Sequence, residues 1–170
     1  MIQHIEHPLQ PIYDCQSKIL ILGTMPSPKS REAGFYYAHP QNRFWKVMTA
    51  LTGEPIPMDN RGRTHFLLRH KIALWDVLQS CEMVGAEDGS IRNPVANDLS
   101  LVLRAGNIQA IATTGSKAAS LYRQYCFPKT GIPALSLPST SPANCRYSLE
   151  TLVEKYRVLL NYIESEKGDF

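Results

Sequence analysis

Three short segments of this 170-residue chain hold most of the side chains able to do chemistry. The first, Gly23-Thr24-Met25-Pro26-Ser27, directly follows an apolar run. The second is Gly34-Phe35-Tyr36-Tyr37-Ala38-His39-Pro40-Gln41-Asn42-Arg43-Phe44-Trp45, and the third is Leu137-Pro138-Ser139-Thr140-Ser141-Pro142-Ala143-Asn144. A glycine at a strand end lets main-chain N–H groups approach a bound molecule closely. Tyr36 and Tyr37 offer flat faces for stacking. Ser139, Thr140 and Ser141 carry hydroxyls able to hold an anion, and Asn42 carries a donor and an acceptor on one amide. Asp76, near the end of a second apolar run, adds a carboxylate.

Each of these residues also has a plain structural role open to it. Asn is among the best helix caps, and Asn42 stands where a helix should begin. Loop tyrosines often cover a core edge, and Asp76 can support a turn. Histidine is a common acid or base in active sites, but a His-Pro pair in a loop, as at His39, is usually structural. His4 and His7 form an HxxH with no carboxylate or cysteine arranged around it, so no metal is expected.

The elements that must position these residues follow from hydrophobic patterning. Lys18 to Gly23 is a continuous apolar run stopped by glycine, the mark of a strand buried on both faces. A loop extends to about Gln41, and Asn42 to Leu51 then has helical spacing, with Phe44, Val47, Met48 and Leu51 on one face. A short helix near Gly62 to His70 leads into a strand at Ile72 to Leu78. Gln79 to Asn97, with Gly85, Gly89 and Pro94, reads as a surface excursion. Asn97 or Asp98 caps a helix through Ala105. Ile108 to Ala112 is a third strand, Ser116 to about Tyr125 a helix, and Ala134 to Leu137 a fourth strand. An amphipathic helix is expected from Ser148 to Ser165.

Alternating strands and helices predict an α/β fold, a three-layer α/β/α sandwich around a four-stranded, mostly parallel sheet. One domain spanning residues 1–170 is expected. Ligands in such folds bind at the carboxyl ends of the strands. That puts the loops after Leu22, Leu78 and Leu137 on one rim.

Composition narrows the function classes. The chain is 44% hydrophobic and 19% charged, as for an ordinary folded protein. A net charge of +3 permits a nucleic-acid partner without demanding one. No export signal or membrane-length apolar run is read, so a cytoplasmic protein without membrane contact is expected. Cys15, Cys81, Cys126 and Cys145 have no close pair, which argues against disulfides and against an iron–sulfur cluster. The sequence after the first strand lacks the Gly-rich patterns of nucleotide-binding α/β domains.

Taken together, the strand-Gly-x-x-Pro-Ser opening, the aromatic-His-Pro-x-Asn-x-Phe-Trp segment and the final Pro-Ser-x-Ser loop resemble the uracil-DNA glycosylase superfamily. The middle and final segments are similar to the mismatch-specific uracil and thymine glycosylases. The whole set, with the Tyr-Tyr pair and Ser-Pro-Ala-Asn, looks most like the hypoxanthine-DNA glycosylases. The resemblance runs from about Lys18 to Tyr162. It implies an enzyme that flips a deaminated base from DNA, stacks it and hydrolyses its glycosidic bond, acting as a monomer without cofactor.

On that reading Asn42 matches the catalytic asparagine of the hypoxanthine branch, its amide oxygen orienting water or facing the sugar while its NH₂ anchors it. Tyr36 or Tyr37 stacks on the base, and the backbone of Gly23, Thr24 and Met25 donates to base carbonyls. Asp76 accepts a ring N–H. Ser27 and the loop Leu137-Pro138-Ser139-Thr140-Ser141 contact DNA, with an apolar wedge filling the hole left by the base. Asn93 and Asn97 are weaker pocket candidates.

Two departures stand out. Met25 replaces the Asp or Asn that positions water in several branches, and Leu137 replaces a histidine that stabilises the leaving base. With no lysine in the motifs, no strand-cutting step is expected. A uracil or mismatch glycosylase and a non-catalytic DNA binder are the competing readings.

Overall fold

In the computed structural model, residues 1–85 and 87–163 are described. Two sheets organise the chain. The larger is parallel, in the order β3-β2-β6-β7, with β2 at Ile19–Gly23, β3 at Ile72–Asp76, β6 at Ala110–Thr114 and β7 at Ala134–Leu137. Every residue of β2, β3 and β6 is buried. Their side chains pack on both faces of the sheet, which is why their sequences are apolar without alternation.

Helices α1 (Pro28–Ala33), α2 (Phe44–Thr52) and α3 (Asn60–Arg69) lie between β2 and β3. Helix α4 (Ser100–Ala105) precedes β6, and α5 (Ser116–Leu121) connects β6 to β7. Such crossovers are right-handed. The connection from β2 to β3 runs one way along the sheet and those reaching β6 and β7 the other, so helices cover both faces. From Tyr122 the helix widens into a π turn to Cys126 and ends as α6 (Phe127–Thr130). Helix α7 (Leu149–Tyr156) packs on α2 and tightens into a 3₁₀ turn through Asn161. The helix expected to reach Ser165 ends earlier, since Tyr162 and Ile163 are turn and bend, and only its last two positions lie outside the described residues.

The second sheet corrects the sequence reading. The apolar run from Ile72 divides at Val77 into β3 and a new strand β4 (Leu78–Val84). Strand β4 is central in an antiparallel sheet with β1 (Ile2–Glu6) and β5 (Arg92–Ala96). The stretch read as a surface excursion is thus largely strand. Asn97 stitches the two sheets together, its amide nitrogen donating to the carbonyls of Asp76 (2.9 Å) and Leu78 (3.1 Å). It does not line the cavity at the strand ends. Asn93 takes a positive φ of 50° and bonds Glu82.

Candidate active site

The carboxyl ends of the parallel strands surround a cavity of about 430 Å³. Gly23, Asp76 and Thr114 supply its floor, at the ends of β2, β3 and β6. The loop around α1, the Tyr36–Asn42 segment and the loop Ser139–Ala143 supply its walls. Three sequence segments far apart in the chain therefore meet. Met83, Gly85 and Asp88, from β4 and the turn after it, form a wall that sequence reasoning missed. Burial raises the pKa of Asp88, Lys117 opposes the shift, and the charge of Asp76 adds to it.

The two tyrosines separate cleanly. The Tyr36 ring is 3% exposed, and its hydroxyl donates to the Gln10 carbonyl at 2.7 Å. Tyr37 has a positive φ of 52°, a strained conformation for a bulky residue. Its ring lies flat on Phe44, with centroids 4.0 Å apart and planes 12° from parallel. Its hydroxyl sits 3.3 Å from Thr114 Oγ1. Burial, and then the charge of Asp76, drives both phenols well above their ordinary pKa, so both stay protonated at any working pH.

Asn42 is oriented by contacts that fix which end of its amide is which. The Phe44 N–H donates to Asn42 Oδ1 at 2.9 Å, and the Thr140 hydroxyl donates to the same oxygen at 2.8 Å. A backbone N–H can only donate, so the atom it meets is the oxygen. The oxygen is the anchored end, reversing the sequence expectation. The NH₂ donates to none of the described residues, and the side chain borders the cavity. Asn42, one residue before the Arg43 cap, thus satisfies the first N–H of α2 and still has its NH₂ to offer at the cavity wall.

The final loop also differs from expectation. Leu137 is 5% exposed, packed at the end of β7, so it does not serve as an apolar wedge. Thr140 is 1% exposed and spends its hydroxyl on Asn42, which removes it from phosphate contact. The Ser139 and Ser141 oxygens accept from the N–H groups of Ser141 and Ala143 and still line the cavity. Ser27 caps α1 by accepting from Ser30 N–H at 3.2 Å. Arg43, left among surface charges by the sequence, grips the loop by donating to the carbonyls of Ser141, Asn144 and Tyr147.

At the first motif, the Gly23 and Thr24 carbonyls accept from Val77 and Leu78 N–H. The Thr24 and Met25 N–H groups donate to none of the described residues, and both residues line the cavity. Gly23 is required sterically. A Cβ there would stand 2.5 Å from Asp76 Oδ1. Asp76 Oδ2 lies 2.6 Å from His7 Nε2, with both side chains almost fully buried. Sequence reading left His7 at a terminus because its partner is 69 residues away and nothing local marks it. His39 Nδ1 accepts from Gln41 N–H, shaping the turn. Lys29 borders the cavity mouth, mostly exposed and 3.8 Å from Glu32.

Comparison with known proteins agrees with this arrangement of an α/β sheet and a strand-end pocket. Residues 10–162 match the profile of the uracil DNA glycosylase superfamily, and the chain belongs to that family. A protein of Methanosarcina barkeri named hypoxanthine DNA glycosylase is 34% identical over 110 residues, covering 64% of this chain and 70% of its own length. One of the same name from Methanosarcina acetivorans is 32% identical over 139 residues, covering 81% and 87%. The solution NMR structure of a candidate uracil DNA glycosylase from M. acetivorans superposes with a TM-score of 0.76 at 29% identity, covering 94% of this chain and 99% of that one.

Proposed function

We propose that the protein excises hypoxanthine from DNA by hydrolysing the glycosidic bond of deoxyinosine. The observation carrying this reading is that a Tyr37 ring, an Asp76 carboxyl and an Asn42 amide border one base-sized cavity at the strand ends. In this reading the free face of Tyr37 stacks on the flipped base, a contact worth about 1–3 kcal/mol. Asp76 Oδ1 accepts the N1–H of hypoxanthine, and Thr24 and Met25 N–H groups are donors for its carbonyl.

The bond between C1′ and the base breaks with its electron pair passing to the base. Water then adds to C1′ and loses a proton, while the base gains one. The inward NH₂ of Asn42 donates where negative charge grows on the departing base, which favours the transition state over the bound substrate. With Met25 at the water-positioning site, the cleft relies on bond breaking running ahead of water attack.

Uracil presents the same N–H beside a carbonyl and is the second substrate on this reading. The reaction stops at base release. Lys29 is exposed at the mouth beside Glu32, without the desolvation that makes a lysine a Schiff-base nucleophile.

The test is base release from labelled duplexes carrying hypoxanthine, uracil, xanthine or a G·T mismatch, followed by alkaline cleavage. Asn42→Ala should lower hypoxanthine release by roughly 10²–10³, the loss typical of one such donor. Release of uracil alone would displace the substrate. DNA binding with no release from any duplex would leave a non-catalytic binder.

A further inference from the structure

His7 lies outside the residues that match the family profile, yet it touches the cavity's carboxylate. The segment carrying it is held along its length. Strand β1 pairs with β4 from Ile2↔Val84 to Glu6↔Ser80, and His7 N–H donates to the Gln79 carbonyl at 2.7 Å. Beyond His7, Tyr36 fixes the Gln10 carbonyl, and Ile12 exchanges two hydrogen bonds with Leu74 of β3. The imidazole is thereby carried to the end of β3. It is 2% exposed there, with Nε2 2.6 Å from Asp76 Oδ2 and Nδ1 2.9 Å from the Leu9 carbonyl.

This geometry confines the pair's protons. Nδ1 meets the Leu9 carbonyl at 2.9 Å and the Leu9 N–H at 3.3 Å, and the shorter contact is served by a hydrogen on Nδ1 that donates to the carbonyl. The proton between Nε2 and Oδ2 then sits on one or the other, giving an imidazolium with a carboxylate or a neutral imidazole with a carboxylic acid. In both cases Asp76 Oδ1, the oxygen beside Gly23, is left without a proton.

We infer that His7 is a positioning residue that makes Asp76 Oδ1 an obligate hydrogen-bond acceptor, and so selects bases bearing a ring N–H next to a carbonyl. This deepens the base-reading role proposed for Asp76 and rests on it. Hypoxanthine, xanthine and uracil offer that N–H. Adenine N1 and cytosine N3 are acceptors and meet the oxygen lone pair to lone pair, so the parent bases of hypoxanthine and uracil are refused. The other ionisable groups bearing on Asp76 are Tyr36 and Tyr37, both neutral, and Asp88 across the cavity. None of them can replace His7 as a donor to Oδ2 at neutral pH without rearrangement.

Removing His7 takes away the donor that pins Oδ2, so the carboxyl can turn and Oδ1 is no longer fixed as the acceptor. The test measures single-turnover release of hypoxanthine and uracil from duplexes between about pH 6 and 9 for wild type, His7→Ala and His7→Gln, with melting temperatures alongside.

The expected result for His7→Ala is a loss of about tenfold or more in release with a melting temperature close to that of wild type, as for a lost hydrogen bond to a charged group. His7→Gln, which keeps a donor toward Oδ2, should stay within about threefold of wild type. Parallel losses in both variants at every pH, tracking a lowered melting temperature, would make His7 merely structural and overturn the inference. So would a His7→Ala enzyme indistinguishable from wild type. If wild type and every variant release no base, the excision reading fails and takes this inference with it. An active wild type that does not respond to His7 rejects the inference alone.

Discussion

At the residue scale, the candidate site depends on which atom of each polar group is already engaged. Asn42 holds its oxygen in two hydrogen bonds, one of them from Thr140. Thr140→Val should therefore loosen the amide without touching the base. About 1 kcal/mol of stability is at stake in that bond, and kcat for base release should fall with KM nearly unchanged in single- and multiple-turnover assays. Gly23 makes a second prediction. A methyl there meets Asp76 Oδ1 at 2.5 Å, and the other oxygen is pinned on His7, so the carboxyl cannot swing away freely. Gly23→Ala should cost ~1–3 kcal/mol in thermal unfolding, as other overpacked sites do, and most of the hypoxanthine release. Sequence motifs singled out Asn42 and the tyrosine pair, and strand position singled out Asp76; all of them line the cavity. Motifs and strand position did not reveal the direction of the Asn42 amide or the burial of Leu137 and Thr140, because contacts between distant segments decide both.

At the scale of elements, β2 and β3 were legible because burial on both faces writes an unbroken apolar run, whereas β6, ending in two threonines, starts two residues later than its apolar pattern indicates. The antiparallel sheet was not legible. Strand β4 has register shifts between Leu78 and Ser80 and between Ser80 and Glu82, which break the two-residue alternation that marks a half-buried strand. Strand β5 contains Pro94 and an Asn93 with positive φ, features tolerated only at a sheet edge. Strand β1 buries Ile5 alone. Its alternation is too weak to read without its partner. The final loop offers an element-scale prediction. Arg43 joins the first turn of α2 to three loop carbonyls. Arg43→Met keeps the stem and removes the donors, so the loop should open. DNA affinity should fall and the amides of Ser139 to Tyr147 should exchange hydrogen faster, while those of β2 and β6 stay protected.

At the scale of the whole molecule, a net charge of +3 is modest for a DNA-binding surface. Affinity for undamaged duplex should be weak. Its logarithm should fall with the logarithm of salt at a shallow slope, equivalent to only a few phosphates, in a fluorescence-anisotropy titration. Selectivity then has to come from the strand-end cavity rather than from long-range attraction. No helix among the described residues is long and apolar enough to cross a membrane. The two tryptophans are placed to report on that cavity. Trp45 packs against Phe44, the ring under Tyr37, and Trp75 immediately precedes Asp76; the Nε1–H of each is buried without a partner among the described residues. Indoles in such dry surroundings emit toward the blue. The molecule thus carries its own optical probes, one behind the Tyr37 and Phe44 ring pair and one next to the Asp76 carboxylate. A base entering the cavity should alter their emission before any bond is broken.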